Sequence, residues 1–514
     1  MTFLSRRLRR RWLFPALIVT VGFAALAGRS YADDVAGSDD AAEPSADAEP
    51  VSYYNDVRPI FQQHCQGCHQ PAKASGEYVM VSHDALLAAG ESGEVGVVPG
   101  DPEASELLRQ ITPNGDDPPA MPKDREPLSA DQIELVRLWI ATGAVDDSPP
   151  SNEPLIDAAH PPVYLQPPVI TSLAYSPDGT LLAVSAYHEV ILLNADNGER
   201  VARLVGVSER IESIAFSPDG SRIAITGGSP GLFGEIQVWN TASRELEMSL
   251  PVTYDTLYGA AWSPDGKLIS FGCADNTVRA IDATTGERRL YQGAHSDWVL
   301  DTDFSTDGSH LVSVSRDRSM KLTEVATQRF IDNITSITPG ALKGGLIAVE
   351  RRPEKDELLV GGADGAPKLY QMYRTQKRVI GDDFNLIRAF EPLPGRVMAV
   401  QFNHDGSRFV AASSAHGDGA ARVYQTDDGA VVSRFAEDRG PLYAAAFRRD
   451  VPQVTVGGLS GTVSTYNADT GELIREFMPV PISDAASLAT GPAADATAAP
   501  QAETDEATAP ATNN

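Results

Sequence analysis

The chain has 514 residues, about three times the usual single-domain allowance, so more than one domain is expected. Hydrophobic residues at 42% and charged residues at 22% make a globular composition and exclude a wholly disordered chain. The formal net charge of −28 excludes a dedicated nucleic-acid binder, because phosphate contact needs clustered Lys and Arg.

Residues 1–32 read as a secretory signal. Arg6, Arg7, Arg9, Arg10 and Arg11 precede an uncharged, mostly apolar run of 17 residues, Trp12 to Gly28, and Ser30-Tyr31-Ala32 offers small residues for cleavage. The alternative is an uncleaved anchor, since 17 residues approach the lower limit of a membrane span. Removing this segment, with its six Arg and no acid, would take the charge to −34. Residues 33–50, rich in Asp, Ala, Glu, Pro and Ser, read as a disordered spacer.

Residues 51–147 carry the strongest chemical signal. In "YYNDVRPIFQQHCQGCHQ", Asn55 or Asp56 can cap a helix, Pro59 fits its first turn, and Val57, Ile60 and Phe61 share one face. The helix runs into Cys65-Gln66-Gly67-Cys68-His69. In a C-x-x-C-H run each thiol can form a thioether to a haem vinyl group, and the adjacent His can turn its imidazole under the iron. A redox C-x-x-C pair would want a strand–helix setting, which is missing, and a zinc site would need a second ligand pair, yet no other Cys lies in this segment. Covalent attachment of haem is made outside the cytoplasm, which agrees with a signal segment.

The iron has a second axial position, for which Met80, His83 and Met121 are the candidates. Met121 stands in "DDPPAMPKD", where Pro119 and Pro122 stiffen the loop around the thioether, so it is the expected ligand. Met80, in the apolar run "GEYVMVS", reads as packing. The segment closes with a helix that opens on a capping box, Ser129 to Gln132, places Ile133, Val136 and Ile140 on one face, and stops at Gly143. Trp139 is expected to pack across the first helix near Phe61.

Together these residues resemble the class I cytochrome c family, and within it the small cytochrome domains of planctomycete bacteria that precede other modules in one chain. The resemblance covers about 95 residues and rests on the first helix, "CQGCH", "PPAMP" and the last helix. It implies Cys65 and Cys68 as haem attachments and His69 and Met121 as axial ligands. The stretch from Gln70 to Thr112 carries no family signature.

Residues 148–167 read as a linker, and a repeat array follows over 168–481. "YSPDG" at 175–179, "FSPDG" at 216–220, "WSPDG" at 262–266, "FSTDG" at 304–308 and "FNHDG" at 402–406 recur, with "RPEKDE" at 352–357 and "RRDVP" at 448–452 in the two remaining slots. Asp178, Asp219, Asp265, Asp307, Asp356, Asp405 and Asp450 then mark units of 41 to 49 residues. Alternating strands flank each Asp-Gly, which reads as a hairpin turn. A third strand recurs and puts Leu193, Trp239, Ile281, Thr323, Tyr370, Tyr424 and Tyr466 at one equivalent site. With a short fourth strand, seven units of four close a ring of sheets.

This array resembles the WD40 β-propeller family, although its motifs are degenerate: Trp survives only at 239, and the Gly-His pair only as Ala294-His295. His295, Ser313 and Asp317 resemble the structural hydrogen-bond chain of a WD40 blade. Cys273 reads as a buried thiol, and His188, His404 and His416, on expected loops, are the only hints of a second metal or haem site. Residues 482–514, mostly Ala, Thr, Pro and acid, read as a disordered tail.

The expectation is therefore a multidomain protein, with a small all-α cytochrome c domain followed by an all-β seven-bladed WD40-like propeller. Its expected role is that of an exported, periplasmic or cell-envelope electron-transfer protein with one covalent haem c, rather than a catalyst. The propeller would dock a redox partner through that partner's basic surface, with no nucleic acid and no membrane span after signal cleavage. Two alternatives stand beside this one. In the first, a propeller scaffold carries haem as a redox sensor or structural element. In the second, an enzyme has a further site in the propeller.

Overall fold

A computed structural model describes residues 51–483, except 71–72, 116, 124, 149–155, 337–342, 380 and 382. The expected signal (1–32), the spacer (33–50) and all but the first two residues of the tail (482–514) lie outside the described residues.

The first helical turn, Tyr53–Val57, runs directly into α1, Arg58–His64. Its cap is Ser52 rather than Asn55 or Asp56. The Ser52 hydroxyl accepts from the Asn55 N–H at 2.9 Å, and the Asp56 carboxylate reaches back to the Ser52 N–H at 2.9 Å. A serine one turn earlier satisfies two orphan donors reciprocally, which neither later residue can do. Three further α-helices follow among the described residues: α2 (His83–Leu86), α3 (Glu106–Ile111) and α4 (Ala130–Ala141). The capping box of Ser129 and Gln132 opens α4 as expected, with Val136 and Ile140 buried and Ile133 half-buried. Trp139 is fully buried; its ring meets Phe61 edge-on at 6.2 Å and stacks on Tyr53 at 5.3 Å. Val57, Ile60 and Phe61 all point into this core, as their spacing requires.

From Leu173 to Phe477 the chain forms seven four-stranded antiparallel sheets, each built from four consecutive strands. This is the expected seven-bladed propeller. The blades begin with the inner strands Leu173–Tyr175, Arg210–Phe216, Leu257–Trp262, Val299–Phe304, Leu346–Arg351, Arg396–Phe402 and Leu442–Phe447. Third-strand residues Leu193, Trp239, Ile281, Thr323, Tyr370, Tyr424 and Tyr466 are all buried, so the equivalence read from the repeat holds in space.

The recurring Ser-Pro-Asp-Gly turn has a local cause. Ser176 Oγ donates to Asp178 at 2.5 Å and accepts from the Leu181 N–H at 2.9 Å, while Gly179 takes φ +70°. Ser217 and Asp219, Ser263 and Asp265, and Ser305 and Asp307 repeat the first of these bonds. In blade five the residue level with Asp178 is Glu354, not Asp356: the closing bond runs from Lys355 N to Arg352 O, as Gly179 N runs to Ser176 O. Where the glycine is missing, the positive φ moves back one residue, onto Glu354 (φ +57°) and Asp450 (φ +60°).

Neighbouring blades are tied by side chains on or just before the inner strands, which accept from the next blade's backbone. Ser172 takes Ile214 N–H at 3.0 Å, Ser213 takes Ala260 N–H at 3.1 Å, and Gln401 takes Phe447 N–H at 2.6 Å. Asp301 takes Val349 N–H at 2.9 Å and Asp303 takes Arg351 N–H at 2.6 Å. The ring closes without sharing strands between blades one and seven. Instead, Tyr175 Oη bonds Thr455 Oγ1 at 2.6 Å, Arg448 Nε donates to Gly179 O at 3.0 Å, and Tyr164 pairs with Ile482 in a single parallel bridge.

The staple at Asp301 carries a pH signature. Desolvation pushes its carboxyl from 3.8 up to about 7, against the opposing N–H bonds from Val349 and Thr302. Between those values the folded state holds more protons than the unfolded chain, so this group's contribution to stability falls as pH rises. Asp301→Asn, which cannot ionise, should gain on the parent by on the order of 2 kcal/mol between about pH 5 and pH 8. Urea unfolding at the two pH values measures the gap, and a gap independent of pH would contradict the assignment.

Candidate functional site

The end of α1 delivers the cysteine loop to a cavity of about 520 Å³. Cys65 continues the helix by donating its N–H to Phe61 O at 2.9 Å, and the N–H groups of Cys68 and His69 turn back onto Cys65 O at 3.0 and 3.1 Å. Cys65, Cys68, His69, Met80 and Met121 all line this one cavity, with Leu107 and Ile111 of α3. Its volume lies in the range of small-molecule and cofactor sites.

The His69 ring is oriented by the backbone. Its Nδ1 lies 3.0 Å from Tyr78 O. A carbonyl only accepts, so the proton sits on Nδ1 and Nε2 keeps its lone pair for a metal. Tyr78 escaped sequence reasoning because a carbonyl that orients a ring leaves no residue-type signature. Met80 is buried and tied to the loop, with its N–H on His69 O at 2.8 Å and its carbonyl accepting from Gln66 Nε2 at 2.8 Å. Met121 is half-buried, and its N–H donates to Gln110 O at 2.9 Å.

His83, the third candidate, does not line the cavity. Its Nε2 lies 2.7 Å from Ala144 O, and its ring sits edge-on to Tyr53 and Trp139. Burial, with Cys68 adding to it and Arg125 opposing, pushes the Cys65 thiol up to about 12, so it is a neutral thiol at neutral pH. That does not suit a thiolate redox pair. Among the described residues no group of three His, Cys, Asp or Glu side chains is arranged to hold a metal ion by itself.

In the propeller, Cys273 is fully buried, and burial likewise pushes its thiol up to about 12. His188 and His404 do not converge: His404 Nε2 meets Arg449 at 3.3 Å, whereas His188 lies against the Tyr187 ring in blade one. The His295 chain is in place, with Nδ1 at 2.9 Å from Asp317 Oδ2 and Nε2 at 2.8 Å from Ser313 Oγ.

Comparison with known families places both halves. The family model described as planctomycete cytochrome C matches residues 65–125, the stretch holding the cysteines, His69 and Met121. The model described as WD domain, G-beta repeat, matches residues 246–282 and 287–323, in blades two to four. The N-terminal segment is thus similar to planctomycete cytochrome C, and part of the propeller to WD40 repeats.

Among curated proteins it is similar to eukaryotic translation initiation factor 3 subunit I of Emericella nidulans, at 28% identity over 275 residues, half of this chain and 79% of that protein. The same subunit of Coccidioides immitis is 30% identical over 207 residues, 37% of this chain and 59% of that one. Actin-interacting protein 1-2 of Arabidopsis thaliana is 29% identical over 157 residues, 30% of this chain and 26% of that one.

These relatives correct two expectations. The proteins matched over half of the chain are named as subunits of a translation initiation factor, not as exported electron carriers, so the electron-transfer role is overturned. The exported, periplasmic or cell-envelope location falls with it, since the same relatives are eukaryotic translation factor subunits. WD40 propellers take protein partners, and among the described residues no helix is long and apolar enough to cross a membrane.

Proposed function

We propose that this protein is a protein-assembly propeller that carries one covalent haem c in its N-terminal cavity, as a redox-sensing or structural element of the assembly. The observation that carries the reading is the His69 ring, held through Nδ1 by Tyr78 O so that Nε2 remains available beside both cysteines. Cys65 and Cys68 would hold the group through thioethers, His69 and Met121 would take the axial positions, and Met80 would pack against it. Lys123 and Arg125, which also line the cavity, would supply positive charge for its two carboxylates. When bound, haem supplies a one-electron iron couple. The chain's own residues fix the imidazole tautomer, exclude water through Leu107 and Ile111, and hold the loop rigid through Gln66 and Met80.

The relatives named as subunits support a propeller that works inside a larger assembly. With a net charge of −28, the partner surface it would favour is basic, and direct contact with nucleic acid is disfavoured. A place in a translation initiation complex, as those names print, is the second reading, favoured by the half of the chain that matches.

The test is the mass of the full chain made in a host that attaches haem. One haem should survive denaturation on the peptide holding Cys65 and Cys68. Loss of all haem on denaturation, with both thiols free to alkylate, would overturn the reading.

A further inference from the structure

The C-Q-G-C-H loop does not face solvent on its outer side; it lies against the propeller. The fourth strand of blade two, Leu246–Thr253, is an edge strand, and its backbone pairs only with Phe233–Asn240. An edge of eight residues leaves a row of unpaired backbone groups that a fold must cover or blunt. Here it is covered. Lys73, just past the loop, donates from Nζ to Glu247 O at 2.6 Å, and Tyr254 Oη donates to Gln63 of α1 at 2.8 Å. Gly67 completes the contact: a Cβ there would sit 2.4 Å from Ser249 O and 3.1 Å from Pro251 Cδ. The second of the two residues between the cysteines, Gly67, must therefore be glycine if the loop is to stay seated.

The strand beneath is itself anchored in the blade. Ser249 Oγ donates to the fully buried Glu235 at 2.6 Å, and Ser208 donates to the same carboxylate at 2.7 Å. Trp239, the one family tryptophan that survives, bonds Gln237, which in turn bonds Glu235. A buried polar network therefore stands behind the strand whose carbonyl Gly67 approaches.

We propose that the outer strand of blade two is a fixed seat for the cysteine loop, with Gly67, Lys73 and Tyr254 as positioning residues that set Cys65, Cys68 and His69 against the cavity. The seat stands on the contacts alone, and its consequence for the cofactor rests on the haem reading above.

The test uses the full chain, made once without haem attachment and once with it. Two variants are compared with the parent: Gly67→Ala, which drives a methyl into Ser249 O, and the double variant Lys73→Met with Tyr254→Phe, which removes two bonds without a clash. In the haem-free chain, amide hydrogen exchange should quicken about tenfold at residues 63–70 and at 246–253 together, in both variants. In the haem-loaded chain, the same variants should alter the axial-ligand spectrum while the propeller still unfolds cooperatively. Exchange that quickens only in the loop, or in neither stretch, would overturn the seat. If the two stretches loosen together while no haem is ever found on the cysteines, the seat stands and the haem reading fails.

Discussion

On the proposed haem reading, replacing Met121 with Ala should leave haem attached at Cys65 and Cys68 while abolishing the methionine–iron charge-transfer band, lowering the reduction potential and admitting small ligands to the iron. Met121 and Met80 both line the cavity, but they differ in how they are held. Met80 is 1% exposed, with backbone bonds on both sides to the cysteine loop, so its side chain is enclosed by the core that α2 and α3 complete. Met121 is half-buried on a proline-flanked loop pinned to α3 through Gln110 O, free to turn its thioether inward. Met80→Ala should therefore keep the band and instead cost about 2–4 kcal/mol of stability, as expected for a buried methionine cut to Ala. Absorbance and unfolding of the two variants separate the roles, and loss of the band in the Met80 variant would reverse them.

The second large effect belongs to blade four. Asp317→Ala should destabilise the propeller by about 3–5 kcal/mol, because it strips the acceptor from a buried cluster. Asp317 accepts from His295 at 2.9 Å, from Ser319 Oγ at 2.6 Å and from the Ser296 N–H at 3.0 Å. Burial opposes its ionisation, yet those bonds outweigh burial and hold its carboxyl well below the usual range. Burial, in turn, lowers the His295 pKa despite the bond to Asp317, so the pair is a neutral imidazole donating to a carboxylate. A depressed carboxyl contributes fully above its unfolded value of 3.8 and loses its contribution as pH falls below it. The gap between parent and variant, followed by thermal unfolding, should stay constant from pH 8 to about 5 and narrow only in stronger acid. A gap that changes across neutral pH would instead point to a charged histidine.

The parts of the fold that were legible in the sequence are those written in local periods. Alternating strands around Asp-Gly turns gave seven blades because, in the first four, the turn's serine, aspartate and glycine close their bonds within five residues. The slip at blade five shows the limit of that reading: Asp356 lies close enough to imitate the missing turn residue, whereas backbone bonding puts Glu354 in the slot. The cap at Ser52 was missed because a reciprocal pair of bonds outweighs the nearer Asn55. C-x-x-C-H announced itself through residue type alone. What orients it, the Tyr78 carbonyl and the backbone of blade two, comes from groups every residue possesses, and no motif could mark them.

The seam of the ring has a mechanical meaning. Blades one and seven are each complete sheets, so nothing like a shared strand laces them shut. Tension applied through the chain on either side of the propeller is met first at Tyr164 and Ile482, where one bridge and the bond from Ser483 N to Tyr164 O at 2.8 Å lie in shear. Those two residues are neighbours in space although more than 300 positions apart in sequence. Splicing them and opening the chain between any other two blades would preserve every sheet, so the order of the blades along the polypeptide is a matter of history rather than of architecture.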